Sequence, residues 1–241
     1  MSGSREPGAD RWRALAASAW AFRWKVELEA EARFAWLAGR LDSMAEGSTL
    51  ATLARRAALD ERRHAERCAE LAAAYGSAVS GVAEPLVAVA PASLEPEDAT
   101  CYELVAACCV AETGSVAVLT SLLATASAPR LRAVLHELAR DEVDHARLGW
   151  AALARAHRRG STGFLGPLLP AMLRGSVDDD FFLTVEPARE DPRLLDAGVL
   201  PHTARRDLFV ETLTEVIFPG LERSGVDTAA GRAWLAGASC Q

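Results

Sequence analysis

Two segments of the chain read alike: Asp60-Glu61-Arg62-Arg63-His64-Ala65 and Asp141-Glu142-Val143-Asp144-His145-Ala146. Both spell D-E-x-x-H-A, and they lie 81 residues apart. On a helix, residues three apart share a face, so each Glu points the same way as its His. Glu31 and Glu112 keep the same offset of 81, and each precedes the Glu of its motif by 30 residues. A solvated charged face explains one E-x-x-H, because helices are rich in glutamate. It does not explain two copies with matching Asp and Ala and a matched upstream Glu. The pattern asks for a helix, a turn and a returning helix, made twice.

The spacing about the turns fits. The midpoint of 31 and 61 is residue 46, within the turn-like Ala45-Glu46-Gly47-Ser48, and the midpoint of 112 and 142 is residue 127, beside Ala128-Pro129. Two antiparallel helices bring residues at equal distance from their turn to one depth. Fifteen residues of helix rise about 22 Å, so all four helices can present these groups at one level. The first helix is expected from an N-cap at Asp10 to Ser43, with Trp20, Trp24, Leu28, Phe34, Ala35 and Leu41 inward. The second runs from Thr49 to Tyr75 and is closed by Gly76. The third spans Ala99 to Ala126, and the fourth ends at Arg159. Gly76 to Asp98 holds three prolines and little periodicity, which reads as a long crossover connection. Helices this long point to a bundle.

After Gly160 the pattern loosens. Phe164 to Leu173 reads as a short helix, and Asp178 to Leu200 as mixed structure. Thr203 to Ser224 reads as a helix that Pro219 should kink or end, and Asp227 to Ala236 as a last turn or two. The expected architecture is all-α: a four-helix bundle over residues 10–159 with one long crossover. A helical extension over residues 160–241 should pack on it.

Four carboxylates and two imidazoles would then meet in an apolar core. Bare, they would repel prohibitively, and two divalent cations would neutralise them. Carboxylate and imidazole donors suit iron or manganese, and no thiolate set competes. Of the other glutamates on the first helix, Glu27 is one turn before Glu31 on a similar face and remains the alternative, with Glu29 nearby.

Composition narrows the function classes. A formal charge of −7 with no long basic run argues against nucleic-acid binding. Arg55, Arg56, Arg62, Arg63 and Arg67 are interspersed with acids and read as a solvated ion-pair face. Leu104 to Ala128 is the most membrane-like stretch, but Glu112 interrupts it, as in a central core helix. The five cysteines are odd in number, irregularly spaced and form no CxxC. Together with an N-terminus lacking the apolar core of a signal peptide, they imply free thiols and a cytoplasmic chain.

Over residues 10–159 the doubled motif resembles the ferritin-like di-iron carboxylate superfamily. Its ligands are a Glu from each of two helices and a Glu-x-x-His from each of the other two. The first copy, D-E-R-R-H, is similar to the D-E-x-R-H of the bacterial multicomponent monooxygenase branch; the ribonucleotide reductase small subunits are a more distant comparison. The resemblance implies Glu31, Glu61, His64, Glu112, Glu142 and His145 as ligands of two iron ions, with manganese or a mixed Mn/Fe pair as alternatives. It implies that Glu61 and Glu142 bridge the metals. Asp60 would accept a hydrogen bond from His145, and Asp141 one from His64, fixing each imidazole.

Cys68 stands where the reductase-like branch places a radical tyrosine, which disfavours that role here. Leu138 stands where N-oxygenating members carry an extra histidine. Cys68, Cys108, Ser115 and Gly149 are expected near the ligand depth, lining a pocket or packing the core. Phe181, Phe182, Phe209 and Phe218 are expected to cover one end of the bundle. His136, His157 and His202 have no place in the pattern and read as surface or capping residues.

The implied function is a non-haem di-iron oxidoreductase that uses O2 to oxidise or oxygenate a small organic substrate. It would need an external electron donor, and a homodimer is compatible with it. The alternative is ferritin- or rubrerythrin-type iron oxidation or peroxide detoxification. The long C-terminal extension and the lack of rubredoxin-like cysteine pairs speak against it.

Overall fold

The computed structural model describes residues 11–44, 48–82, 84–183 and 187–239. The expected N-cap Asp10, the turn residues Ala45, Glu46 and Gly47, and Cys240 lie outside them. The described residues are helical over most of their length and include no strand.

Four long helices carry the fold: α1 (Arg11–Asp42), α2 (Ser48–Ala74), α3 (Pro96–Thr125) and α4 (Pro129–Arg158). Local chemistry sets their ends. Gly76 closes α2 with φ +102, a conformation that costs glycine little. Pro96 and Pro129 sit in the first turns of α3 and α4, where the missing N–H is no loss. Pro96 therefore starts α3 three residues before the expected Ala99. Within α3, Val105–Glu112 is a π-helical stretch. Such a widened turn adds a residue and rotates the C-terminal half of the helix relative to the N-terminal half.

Two apolar clusters define how the helices run. One joins Phe34, Leu37 and Leu41 near the end of α1 to Ala51, Ala54 and Ala57 near the start of α2, with Leu104 and Cys108 of α3 and Leu148 of α4. The other joins Trp20 of α1 to Cys68 and Leu71 of α2, with Leu119 and Leu122 of α3 and Leu131 to Leu138 of α4. So α1 and α4 run from the second cluster to the first, and α2 and α3 run the opposite way. Residues 76–95 must travel the length of the molecule between α2 and α3, which 20 residues of extended chain can do. The buried Glu103 carboxylate pins this connection: Oε1 accepts the backbone N–H groups of Val89 (2.6 Å) and Ala90 (2.9 Å). Its other oxygen accepts Arg33 Nη1 at 2.7 Å.

By length and composition α3 could cross a membrane, but 44% of its most apolar window is buried inside the protein. Glu103 and Glu112 are buried on it.

The C-terminal segment holds α5 (Leu169–Arg174), α6 (Arg193–Asp196), α7 (residues 202–223) and α8 (Ala229–Ala238). It shares a core with Tyr102, Val105 and Cys109 of α3 and Leu153 of α4. Trp20 Nε1 donates to the Ala197 carbonyl at 2.8 Å and ties the segment to α1. Pro219 neither ends nor breaks α7. The helix widens to a π turn over Leu213–Ile217 just before it, which accommodates the ring and the missing donor. Phe181, Phe182 and Phe209 pack on one another, and Phe182 on Trp234, in edge-to-face contacts. They belong to the core of this segment. His202 is buried rather than at the surface, with Nε2 2.9 Å from the Phe181 carbonyl.

Candidate metal centre

Between the two apolar clusters lies a polar layer. Glu27 of α1, Glu61 and His64 of α2, Glu112 of α3, and Glu142 and His145 of α4 are all buried. They form two overlapping groups: Glu27, Glu61, His64 and Glu142, and Glu61, Glu112, Glu142 and His145. In each group one donor atom per residue lies within 4.8 Å of the others. Each group can hold a metal ion.

Glu61 and Glu142 belong to both groups, and each turns one oxygen to each imidazole. Glu61 Oε2 lies 3.1 Å from His64 Nδ1, and its Oε1 lies 2.9 Å from His145 Nδ1. Glu142 Oε2 lies 3.1 Å from His145 Nδ1, and its Oε1 lies 3.9 Å from His64 Nδ1. Both Nδ1 atoms therefore face the carboxylates. Both Nε2 atoms face away, each toward the aspartate of the other motif: His64 Nε2 to Asp141 Oδ2 at 3.3 Å and His145 Nε2 to Asp60 Oδ2 at 3.4 Å. That leaves Nδ1 as the donor atom turned to the centre.

Glu31 is not in this layer. It is half-buried beside α2, where Arg62 Nε donates to it at 2.8 Å. Glu27 takes the place from α1. Trp20, Glu27, Phe34 and Leu41 recur every seven residues and are all buried, so Glu27 lies on the centre line of the inward face. Equal spacing about the turn does not separate the two glutamates, because both midpoints with Glu61, residues 44 and 46, fall in the connection between Asp42 and Ser48. The face decides.

Burial is the largest influence on the ionisation of these groups. It pushes Glu27 and Glu112 well above the ordinary carboxylate range, and repulsion from Glu61 and Glu142 adds to it. Burial also acts on Glu61, but the close imidazoles of His145 and His64 outweigh it and hold that carboxyl low. For His145, burial is overcome by its close contacts with Asp60, Glu142 and Glu61, and its pKa is raised. His64 is raised in the same way, chiefly through Glu61. Protons on these groups offset the carboxylate charge in the protein alone, a task that metal cations can take over.

One contact suits a cation as well as a proton. Glu61 Oε1 is buried, and its close neighbour His145 Nδ1, 2.9 Å away, makes no well-aligned hydrogen bond to it. A buried carboxylate oxygen without a donor is costly. Two lone-pair atoms this close, both buried, suit a shared cation.

Several partners were not foreseen. Arg23 lies one turn before Glu27. Its Nε donates to Glu27 Oε1 at 2.7 Å, and its Nη2 to Ser115 Oγ at 2.9 Å and Glu142 Oε1 at 3.5 Å. The spacing of four from Glu27 was the available signal. Arg63, expected on the solvated face, instead bridges both motif aspartates, with Nη1 2.7 Å from Asp60 Oδ1 and Nη2 3.1 Å from Asp141 Oδ2. Arg140 adds a contact of 2.8 Å to Asp141.

The four small residues expected near the ligands fare differently. Ser115 donates to Glu142 Oε1 at 3.2 Å and edges the centre. Cys68 is fully buried, with Sγ 4.0 Å from Glu27 Oε1, and burial pushes its thiol up. Gly149 lines no pocket: a Cβ there would stand 2.4 Å from Cys108 Cβ. It is a packing glycine that lets α3 and α4 approach, and Cys108 fills the space beside it.

Neither the protein-family models nor the curated proteins gave a match to this chain.

Proposed function

We propose that the chain is a ferritin-like, non-haem di-iron oxidoreductase that uses O2 to oxidise or oxygenate a small organic substrate. In this reading α1 to α4 are the four-helix bundle. The observation that carries the proposal is the pair of overlapping ligand groups. Two buried carboxylates, Glu61 and Glu142, each offer one oxygen toward each imidazole. That is the donor arrangement for two adjacent cations bridged by carboxylates. Glu27 and His64 would complete one position, Glu112 and His145 the other. All the donors are oxygen or nitrogen, which favours iron or manganese over softer metals.

Two bound ferrous ions would supply the electrons for O2 reduction, with an external donor restoring them. The protein's own work is positional. Asp60 and Asp141 hold the imidazoles in the orientation that aims Nδ1 inward. Arg63 bridges the two aspartates and keeps them in register with one another. Phe34, with its ring centroid 5.2 Å from that of His145 and its side chain buried, keeps water from that side.

The test is metal analysis after anaerobic iron loading, followed by O2 uptake. Two irons per chain and substrate-free O2 consumption are expected. Less than one iron per chain would overturn the proposal. Repeated turnover of excess Fe(II) by a large cage-like assembly would favour iron storage instead.

A further inference from the structure

Arg23 does not belong to the ligand set, yet it reaches the centre. Its guanidinium hydrogen-bonds Glu27 and Ser115 and lies 3.5 Å from Glu142. The side chain is 21% exposed, so one end meets solvent while the other meets the buried carboxylates. A guanidinium has five N–H donors. Nε and Nη2 make the contacts to Glu27, Ser115 and Glu142, and Nη1 has no partner among the described residues.

Charge sharpens the point. Glu27, Glu61, Glu112 and Glu142 match two divalent cations. Asp60 and Asp141 have cations of their own in Arg63 and Arg140. Once the ligand carboxylates serve metals, the positive charge of Arg23 has no counterpart. A partly buried, uncompensated charge is unfavourable, so the loaded centre lacks one negative charge, at Arg23.

The close contacts of α1 with α3 are with Pro96–Leu104, not with the half that carries Ser115. The Arg23–Ser115 hydrogen bond spans the two helices where they are less tightly packed. Next to Ser115, a Cβ added at Gly114 would meet no atom within 4 Å.

We propose that Arg23 and Ser115 anchor the substrate of this centre, and that the substrate is an organic monocarboxylate. Its carboxylate sits on the guanidinium fork and the Ser115 hydroxyl, at the end of Arg23 that meets solvent. A carboxylate matches the planar fork through two parallel N–H···O bonds. The inference rests on the di-metal reading and names the substrate class for it.

Manganese-loaded protein separates binding from redox chemistry. It would be titrated by calorimetry with benzoate and octanoate, and with benzamide and octanamide of the same shape. At least one carboxylate is expected to bind saturably, with its amide about tenfold weaker or worse. Arg23→Gln should lose about tenfold or more in carboxylate affinity while keeping two manganese per chain, and Ser115→Ala should lose less. Arg23→Lys, which keeps the charge but not the fork, should fall between and serves if Arg23→Gln does not fold. Three results would each overturn the proposal: equal binding of acid and amide, undiminished binding to the Arg23 variants, or no binding of either carboxylate to protein that holds two metals. Native protein that holds less than one metal would instead remove the di-metal reading itself.

Discussion

The two halves of the polar layer have the same ligand types and unlike surroundings. Around Glu27 and His64 the neighbours are polar: Arg23 and Ser115, both partly exposed, and the buried Cys68 thiol. Around Glu112 and His145 they are apolar and closed: Phe34 against the imidazole, Cys108 one turn before Glu112, and Gly149 pressed against Cys108. The doubled motif makes the donors alike, while the rest of each helix gives one half polar neighbours and the other half apolar ones.

The strongest way to break that comparison is to remove the donors that the halves share. Glu142→Ala takes a donor from both groups, so metal content after iron loading should fall below one per chain. Glu27→Ala takes a donor from one group only and should leave about one metal per chain, in the half that keeps Glu112 and His145. Equal metal content in the two variants would mean that the groups are not two separate, overlapping sites.

The aspartates sharpen it at a smaller scale. Asp141→Asn acts on His64 and Asp60→Asn on His145, because each contacts the imidazole of the other motif. Loss of such a supporting contact weakens metal binding by about 10–100-fold. A two-phase manganese titration should show one phase displaced in each variant and the other retained. Displacement of both phases by either substitution would mean that Arg63 couples the halves through the two aspartates.

Protons and metals compete for the centre, which gives opposite pH trends. The pKa values of Glu27, Glu112, His64 and His145 are raised in the fold. A raised group contributes stability that is complete below its ordinary value, 4.5 for glutamate and 6.5 for histidine, and is lost as pH rises. Glu61 and Asp60 are lowered, so their contribution is present above their ordinary values of 4.5 and 3.8 and is steady at higher pH. The melting temperature of metal-stripped protein should therefore fall between about pH 5 and 8. Metal binding needs neutral imidazoles, so stabilisation by manganese should grow over the same range. Parallel trends with and without metal would show that these groups do not bind it.

The doubled motif made much of this layer legible. Glu61, His64, Glu112, Glu142 and His145 lie together because spacing about two turns sets their depth. Glu31 is not among them, because depth and face are separate conditions. Residues 27 and 31 are equally level with Glu61 to within a turn, and only the seven-residue line through Trp20, Phe34 and Leu41 distinguishes them. That line was visible, and the inward set read from it included Trp24 and Ala35, which blurred its centre. Arg23 was harder to see, since an arginine four residues before a glutamate is ordinary on a helix surface. The π turns of α3 and α7 have no compositional mark. They arise from packing, and in α7 from a proline that the helix absorbs. The aromatic residues of the C-terminal segment met each other because their partners were set by a chain path that periodicity does not reveal.

The smallest contrast concerns two glycines on facing helices. Gly149, on the closed side, has Cys108 Cβ at 2.4 Å and the Cys109 backbone N at 3.1 Å from where a Cβ would stand. Gly114, beside Ser115, has nothing within 4 Å of that point. In a helix, alanine is favoured over glycine by about 0.8–1 kcal/mol. Overpacking costs about 1–3 kcal/mol when backbone must shift. For Gly149→Ala the second effect wins, because the nearest atom is a Cβ held by its own helix and cannot rotate away. For Gly114→Ala only the first operates. The two variants should therefore move the melting temperature in opposite directions, by a few degrees each, since about 1 kcal/mol corresponds to about 2–4 °C in a chain of this size. A destabilised Gly114→Ala would mean that the space open beside Gly114 is filled in solution.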